Sequence, residues 1–229
     1  MKSRLWILAL LFVYAPLTLA GKEGLIIIYG EYPVVQELRG GRFEERGKGE
    51  GSYLIDYAGG EGYKEKAFAE AFHFLNANVF GYTFFYKPGS ILMKTEEIFE
   101  LGLRGNIGKE NVSLVGEGVS KNIYRVKLGF QITPSVSRWQ SAFHSNTIRF
   151  TESEGTSDFY TRWEGRSDAL YEALRNLVLT AAKKELSSKP LLLRGDVLLQ
   201  NNPEFSVGAG RHYCKVQGFV NFVEVVTYD

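Results

Sequence analysis

Residues that could carry out chemistry are few and widely separated in this chain of 229 residues. Its three histidines lie in different segments, at His73, His144 and His212. A zinc site needs histidine or cysteine ligands in closely spaced pairs, and the sequence contains no such pair. We therefore predict no metal-binding residues.

Sequence motifs for nucleotide binding and acyl transfer are also missing. Gly47-Lys48 and Gly108-Lys109 lack the other residues of a phosphate-binding loop, and no Gly-x-Ser-x-Gly sequence occurs. The adjacent carboxylates Glu44-Glu45 and Glu96-Glu97 would point about 100° apart on a helix, so neither pair forms an acid–base couple. We predict no catalytic residues and no cofactor. A hydrolase that uses carboxylates from distant segments is the third hypothesis for function.

The single cysteine, Cys214, leaves the chain without an internal disulfide bond. It alternates with Val216 and Val220 along a strand-like segment, and this alternation favours a buried side chain. A nucleophilic Cys214 assisted by His212 or His144 is the alternative.

The first twenty residues have the layout of a secretory signal peptide. Lys2 and Arg4 precede an uncharged run that ends at Leu19, and Ala20 provides a small residue for cleavage. We predict a signal peptide over 1–20, a periplasmic or secreted mature protein, and no transmembrane segment after cleavage. An N-terminal anchor helix is the alternative, although the uncharged run is shorter than the ~20 residues that span a bilayer.

The charge of the mature chain is close to zero. Removal of Lys2 and Arg4 reduces the 27 basic residues to 25, against 26 acidic residues, which gives a formal charge of −1. Such a chain has no general electric field that would attract nucleic acid. We predict envelope proteins or further copies of the chain as partners, and no nucleic acid.

Apolar periodicity predicts a first α+β unit over 21–132. Its main helix runs from Tyr63 to Phe80. The apolar stripe of this helix consists of Phe68, Ala71, Phe72, Leu75 and Val79. His73 lies off the stripe and is predicted to face solvent. A second helix is predicted over 91–103, and strands are predicted over 24–29, 82–86, 112–119 and 123–132.

A structured polar connection is predicted over 133–157, followed by a second unit over 158–229. The second unit contains a predicted helix over 166–186, and strands are predicted over 159–163 and 191–226.

The two main helices share a sequence pattern. Ala-x-x-Glu-Ala-x-x-x-Leu starts at Ala67 in the first helix and at Ala169 in the second. The predicted fold class is therefore α+β, with two related units that each consist of an antiparallel sheet packed by an Ala-rich amphipathic helix.

This order of elements resembles the small α+β domain of flagellar basal-body accessory proteins, namely the N-terminal domain of flagellar assembly protein T and related outer-membrane lipoproteins. The similarity rests on Gly60-Glu61-Gly62, on Ala67 and Ala71, and on the strands over 112–132. The chain lacks a lipid-bearing cysteine and a clear second helix in its latter half, which are departures from the pattern. The resemblance implies a non-enzymatic envelope component that packs against other copies or partners.

Two segments are candidates for partner contact. The first is a loop rich in Gly and in charges of both signs, with the candidate residues Arg39, Arg42, Phe43 and Arg46. The second is a short aromatic strand, with the candidate residues Tyr82, Phe84 and Tyr86. The alternatives are a solvated loop and a strand buried between sheet and helix. The closing strands could also pair with the sheet edge of a neighbour.

The leading hypothesis for function is an exported, non-enzymatic structural or assembly component of the bacterial cell envelope. A flagellar accessory role is its most specific form. The second hypothesis is a periplasmic binding module for an apolar or carbohydrate ligand, which a deep pocket lined by Tyr and Trp would favour.

Overall fold

A computed structural model describes the chain over residues 24–34, 54–55, 62–90, 94–145, 148–158 and 163–227. The described residues form helices and antiparallel sheets, which confirms the predicted α+β fold class. The predicted signal peptide over 1–20 lies outside these residues, as does most of the strand predicted over 159–163. Within the described ranges, every helix is too short or too polar to span a bilayer.

The described elements are nine strands and three α-helices. In chain order they are β1 (Leu25–Pro33), α1 (Tyr63–Val79), β2 (Tyr82–Lys87), β3 (Ile98–Leu103), β4 (Val112–Ser120), β5 (Ile123–Gln131), α2 (Pro134–Phe143), β6 (Arg149–Asp158), α3 (Gly165–Glu185), β7 (Pro190–Leu199), β8 (Glu204–Gly208) and β9 (Arg211–Thr227). One sheet has the order β1-β5-β4. The other has the order β3-β2-β7-β9-β6, with β8 paired to β9, and every pairing in both sheets is antiparallel.

The elements with a strong apolar periodicity in the sequence are predicted correctly. In the second main helix, the apolar spacing predicts an inward face, and all of its residues are buried in α3: Leu170, Ala173, Leu174, Leu177, Val178 and Ala181. In β5, the alternation of Val126, Leu128 and Phe130 predicts one inward face. All three are buried, whereas Arg125 and Lys127 are exposed. Cys214 is also buried in β9, as its alternation with Val216 predicted. Burial of apolar surface therefore sets the orientation of these elements.

Each main helix packs closely on a glycine of the sheet beneath it. A side chain at Gly30 of β1 would collide with the backbone of Ala67 and Ala71 in α1. A side chain at Gly155 of β6 would collide in the same way with the backbone of α3 at Ala169 and Ala173. The alanines and the glycine together allow the helix backbone to approach the strand backbone.

The hairpins that follow the two helices also correspond. Both have a two-residue turn with positive φ at each central residue, at 121–122 between β4 and β5 and at 209–210 between β8 and β9. The two turns are 88 residues apart in the sequence. The same spacing aligns Val126 with Cys214, and both side chains are buried. The units thus share helix packing and hairpin geometry, while their origin as a repeat stays a prediction.

The predicted helix over 91–103 is wrong in its described part. Residues Ile98–Leu103 form the strand β3, which pairs with β2 along its whole length. Its backbone groups bond to the neighbouring strand, and this pairing outweighs the weak helix preference of the local sequence.

The segment predicted as a connection, 133–157, contains α2 and most of β6. The sequence of β6 lacks an apolar alternation because its inward positions are small or polar. Thr151 and Gly155 are buried there, and the hydroxyl of Ser153 donates to the carbonyl oxygen of Ala173 at 2.6 Å. A strand of this kind is hard to recognise from sequence, because its inward residues are small or polar to admit the backbone of α3 and show no apolar alternation.

The larger sheet combines strands from both predicted units. β2, before the predicted connection, pairs with β7, after it, through five residue pairs from Tyr82–Val197 to Tyr86–Leu193. The two predicted units therefore share one continuous sheet.

Candidate binding groove

A groove with a volume of about 1060 Å³ lies beside α1. One wall is α1 from Lys64 to Asn76, and the opposite wall is the segment from Leu103 to Lys109. The floor is formed by β5 together with the face of β4 that carries Leu114. We refer to this site as the α1 groove.

The groove is open because, among the described residues, no helix packs on β4. α1 packs on β1 and β5. Leu114 of β4 pairs with Leu128 of β5 and so shares its inward face, yet Leu114 is 59% exposed whereas Leu128 is fully buried. In the second unit, the matching strand β8 carries Phe205 on that face, and the ring of Phe205 stacks on Phe74 of α1 at 5.9 Å. In the first unit, no side chain of the described residues packs over Leu114 in this way.

Two stacked phenyl rings form the apolar part of the α1 wall. Phe68 and Phe72, one helical turn apart, have ring centroids 6.1 Å apart and nearly parallel planes. Both belong to the apolar stripe that was predicted to face the core. The other residues of the stripe are fully buried, whereas Phe68 and Phe72 are half-buried and line the groove. The core position between the two sheets is taken by Phe74 instead.

His73 also lines the groove, although it was predicted to face solvent. Its side chain is almost completely buried, and Nε2 lies 2.9 Å from the hydroxyl of Tyr82. Burial lowers the pKa of His73 to about 4, so the imidazole is neutral at pH 7. Burial also raises the pKa of the Tyr82 hydroxyl. The prediction failed because α1 is covered by both sheets and has little solvent-facing surface beyond its first turn.

A polar group closes the end of the groove near the start of α1. The hydroxyl of Tyr124 donates to a carboxylate oxygen of Glu117. Burial and this hydrogen bond raise the pKa of Tyr124 to about 12. The ammonium group of Lys64 lies 5.7 Å from the centre of the Tyr124 ring.

The other end of the groove is fixed by Asn76. Its Oδ1 accepts a hydrogen bond from the Ile107 amide at 2.6 Å, and its Nδ2 donates to the Phe72 carbonyl at 2.9 Å. These bonds attach the opposite wall to α1. On this wall, Asn106 and Lys109 are exposed and line the groove.

A second polar cluster lies in the core between the units. Glu70 of α1 is fully buried and accepts hydrogen bonds from Arg166 of α3 at 3.0 and 3.3 Å. Glu70 also accepts a hydrogen bond from the backbone amide of Glu31 at 2.6 Å. Arg125 donates to the Glu31 carboxylate at 2.6 Å, and Arg166 lies 3.7 Å from that carboxylate. No sequence pattern indicates this cluster, because its members come from four separate elements.

This cluster does not have the properties of a hydrolase site. Both carboxylates are paired with guanidinium groups, and the Arg166 guanidinium is enclosed by the rings of Trp163 and Phe205. The Glu70 side chain is fully buried. Among the described residues, no group of three or more His, Cys, Asp or Glu side chains could hold a metal ion.

Comparison with known proteins identifies a family but no function. The sequence matches the model of an uncharacterised protein family over residues 35–228, which is most of the chain. The chain belongs to this family. No curated protein and no solved structure matches the chain. The similarity of this family member to flagellar basal-body accessory proteins therefore stays a prediction from sequence.

The residues predicted to contact a partner fall into two groups in the structure of this family member. Tyr82, Phe84 and Tyr86 are buried, as the alternative interpretation of that strand had it, and they offer no surface for docking. The other candidates, Arg39, Arg42, Phe43 and Arg46, lie outside the described residues. The groove residues Phe68 and Phe72 were recognised as apolar, but nothing in their spacing distinguishes a groove from a core.

Proposed function

We propose that the protein is an exported, non-enzymatic binding component of the cell envelope, which holds an apolar segment of a partner protein in the α1 groove. The observation that carries this proposal is the exposed apolar face of β4 beside the Phe68–Phe72 pair, which no helix of the described residues covers. An exposed apolar surface in a concave site is typical of recognition sites. A flagellar accessory role is the most specific form of the proposal and rests only on the resemblance in the order of the predicted elements.

Two sheet edges border the groove. β4 is the outer strand of the three-stranded sheet and β3 is the outer strand of the larger sheet, and they contribute Leu114 and Leu103 to the groove. An outer strand presents unpaired backbone N–H and C=O groups. A partner segment in extended conformation could pair with such an edge and insert alternate side chains into the apolar site.

The dimensions of the groove suit a short segment. The α1 wall extends over the thirteen residues from Lys64 to Asn76, a rise of about 18 Å at 1.5 Å per residue. An extended segment of about five residues spans this distance. The volume of about 1060 Å³ is at the upper end of the range for small-molecule sites, which favours a peptide segment.

A displayed library of random peptides, selected on the full chain, tests the proposal. We expect enrichment of peptides with alternating apolar residues. Their affinity should fall at least about tenfold in Phe72→Asp, because a charge beside Phe68 opposes burial of an apolar side chain. Phe150→Asp is the matched control, since Phe150 is an exposed phenylalanine of β6 outside the groove, and it should bind as the wild type does. Failure to enrich any peptide, or equal loss in both variants, would contradict the proposal.

A second candidate function is binding of a free apolar ligand in the same groove. The stacked phenyl pair and the neutral imidazole of His73 favour it, because both are compatible with an uncharged ligand. The test measures displacement of an environment-sensitive apolar dye from the groove. Envelope lipids and the selected peptides are added as separate competitors. Displacement by lipid and not by peptide would support the second candidate over the first.

A further inference from the structure

We propose that the α1 groove recognises the carboxyl-terminal end of its partner, with the terminal carboxylate at Lys109 and Asn106 and the peptide antiparallel to β4. This inference rests on the proposed function of the groove. It adds which part of the partner is bound and in which direction.

The charged side chains that line the groove are distributed unevenly. Lys64, Glu65 and Glu117 lie at the end near the start of α1, where charges of both signs are present. Lys109 is the charged lining residue at the other end. An anionic group is therefore favoured at the Lys109 end and not at the other.

Lys109 has no competing partner among the described residues. Its side chain is exposed and makes no hydrogen bond or ion pair with them. The adjacent carboxylate of Glu110 is turned toward Gly108 and accepts a hydrogen bond from Asn111 at 3.1 Å. The ammonium group is thus available to an incoming anion.

Asn106 provides a second donor at the same end. Its side chain is exposed, makes no hydrogen bond to the described residues, and lines the groove on the wall that also carries Lys109. The amide of Ile107, which follows it, is held by Asn76 at 2.6 Å. An ammonium group and a carboxamide on one fixed segment can bind both oxygens of a carboxylate.

The direction of β4 agrees with this placement. β4 begins at Val112, close to Lys109 in sequence, and leads along the groove floor to Glu117 and Ser120. A peptide whose carboxylate is at Lys109 and whose body extends toward Glu117 runs opposite to β4. It can therefore form an antiparallel ladder, in which the hydrogen bonds are perpendicular to the strands. Its alternate side chains would lie against Leu103, Leu114 and the phenyl pair.

The test uses peptides selected on the full chain and resynthesised with either a free carboxylate or a carboxamide at the C-terminus. We expect the carboxylate form to bind the wild type roughly tenfold more tightly, as a charge-assisted hydrogen bond at a partly exposed site would give. Lys109→Met should remove this difference while retaining binding of the carboxamide form. Lys127→Met is the matched control, because Lys127 is an exposed lysine of β5 on the opposite face of the sheet.

The outcomes separate this inference from the proposed function. Equal affinities of the two forms for the wild type would overturn carboxylate recognition and leave the groove as a peptide site. A preference for the carboxylate that persists in Lys109→Met would overturn the role of Lys109. Absence of peptide binding would overturn both proposals. An amide hydrogen-exchange measurement that shows protection of β4 by the carboxylate peptide would support the strand-addition geometry.

Discussion

At the scale of single residues, the groove contains an imidazole that stays neutral because it is buried. His73 has little contact with solvent, and its Nε2 is bonded to the hydroxyl of Tyr82. The burial of His73 could not be predicted from the sequence, because the apolar stripe that contains Phe68 and Phe72 lies on another face of α1. The true core side of α1 includes small residues, Ala67 and Ala71, whose contribution depends on the glycine beneath them.

We predict that His73 makes the protein less stable at acid pH. Its pKa is about 4 in the folded state and 6.5 in the unfolded state, so the unfolded state binds a proton first as the pH falls. The free energy of unfolding should therefore be highest above pH 6.5 and should decrease by about 3 kcal/mol between pH 6.5 and pH 4. Urea denaturation at several pH values measures this change.

The variant His73→Gln should lose most of that decrease, because glutamine keeps a hydrogen bond to Tyr82 and does not titrate. His144→Gln is the control, since His144 is exposed at the end of α2. An unchanged pH dependence in His73→Gln would show that His73 is not the responsible group.

At the scale of elements, α1 and α3 pack on the sheets through close approach of the helix backbone to the strand backbone. The sequence correctly predicted α1, α3, β5 and the closing strands, because each has a regular apolar period or alternation. It did not predict β3 or β6, whose structure is set by pairing to strands elsewhere in the chain. The groove also depends on packing between distant elements, because none of the described helices lies over β4.

We predict that Gly30→Ala destabilises the protein by more than about 2 kcal/mol, because the new methyl group collides with the α1 backbone, which must shift. Gly116→Ala is the matched control, since Gly116 also lies in a strand of this sheet and has no atom within 4 Å of a built Cβ. Its effect should lie within about 0.5 kcal/mol. Similar losses in both variants, measured by urea denaturation, would argue against packing through Gly30.

At the scale of the whole molecule, a shared sheet and a buried ion cluster join the two predicted units. β2 pairs with β7, and Arg166 of α3 binds Glu70 of α1. The sequence could indicate two similar units, but it could not indicate that they share a sheet. Interactions between residues about 100 positions apart leave no periodic pattern, and Arg166 resembled an ordinary residue at a helix start.

We predict that Arg166→Met destabilises the protein by roughly 3–5 kcal/mol, because it leaves the buried Glu70 carboxylate without its guanidinium partner. The loss should be smaller in the double variant Glu70→Gln/Arg166→Met, which removes the buried charge. Arg194→Met is the control, since Arg194 is exposed and its pair with Glu224 lies at the surface. Thermal unfolding followed by circular dichroism provides the comparison. A loss no greater than that of the control would contradict this role of Arg166.

If the α1 groove holds an apolar segment of a partner protein, that partner should lie within crosslinking distance of the groove in cells. The most direct measurement is site-specific photo-crosslinking in cells that express the full chain, with the photoreactive residue at Leu114 in the groove or at Val223 on β9. Both positions carry exposed aliphatic side chains of strands, at 59% and 70% exposure. We expect one dominant crosslinked protein at position 114, joined through an apolar segment that mass spectrometry identifies, and none at position 223. Equal crosslinking at both positions, or no crosslinked protein at position 114, would contradict it.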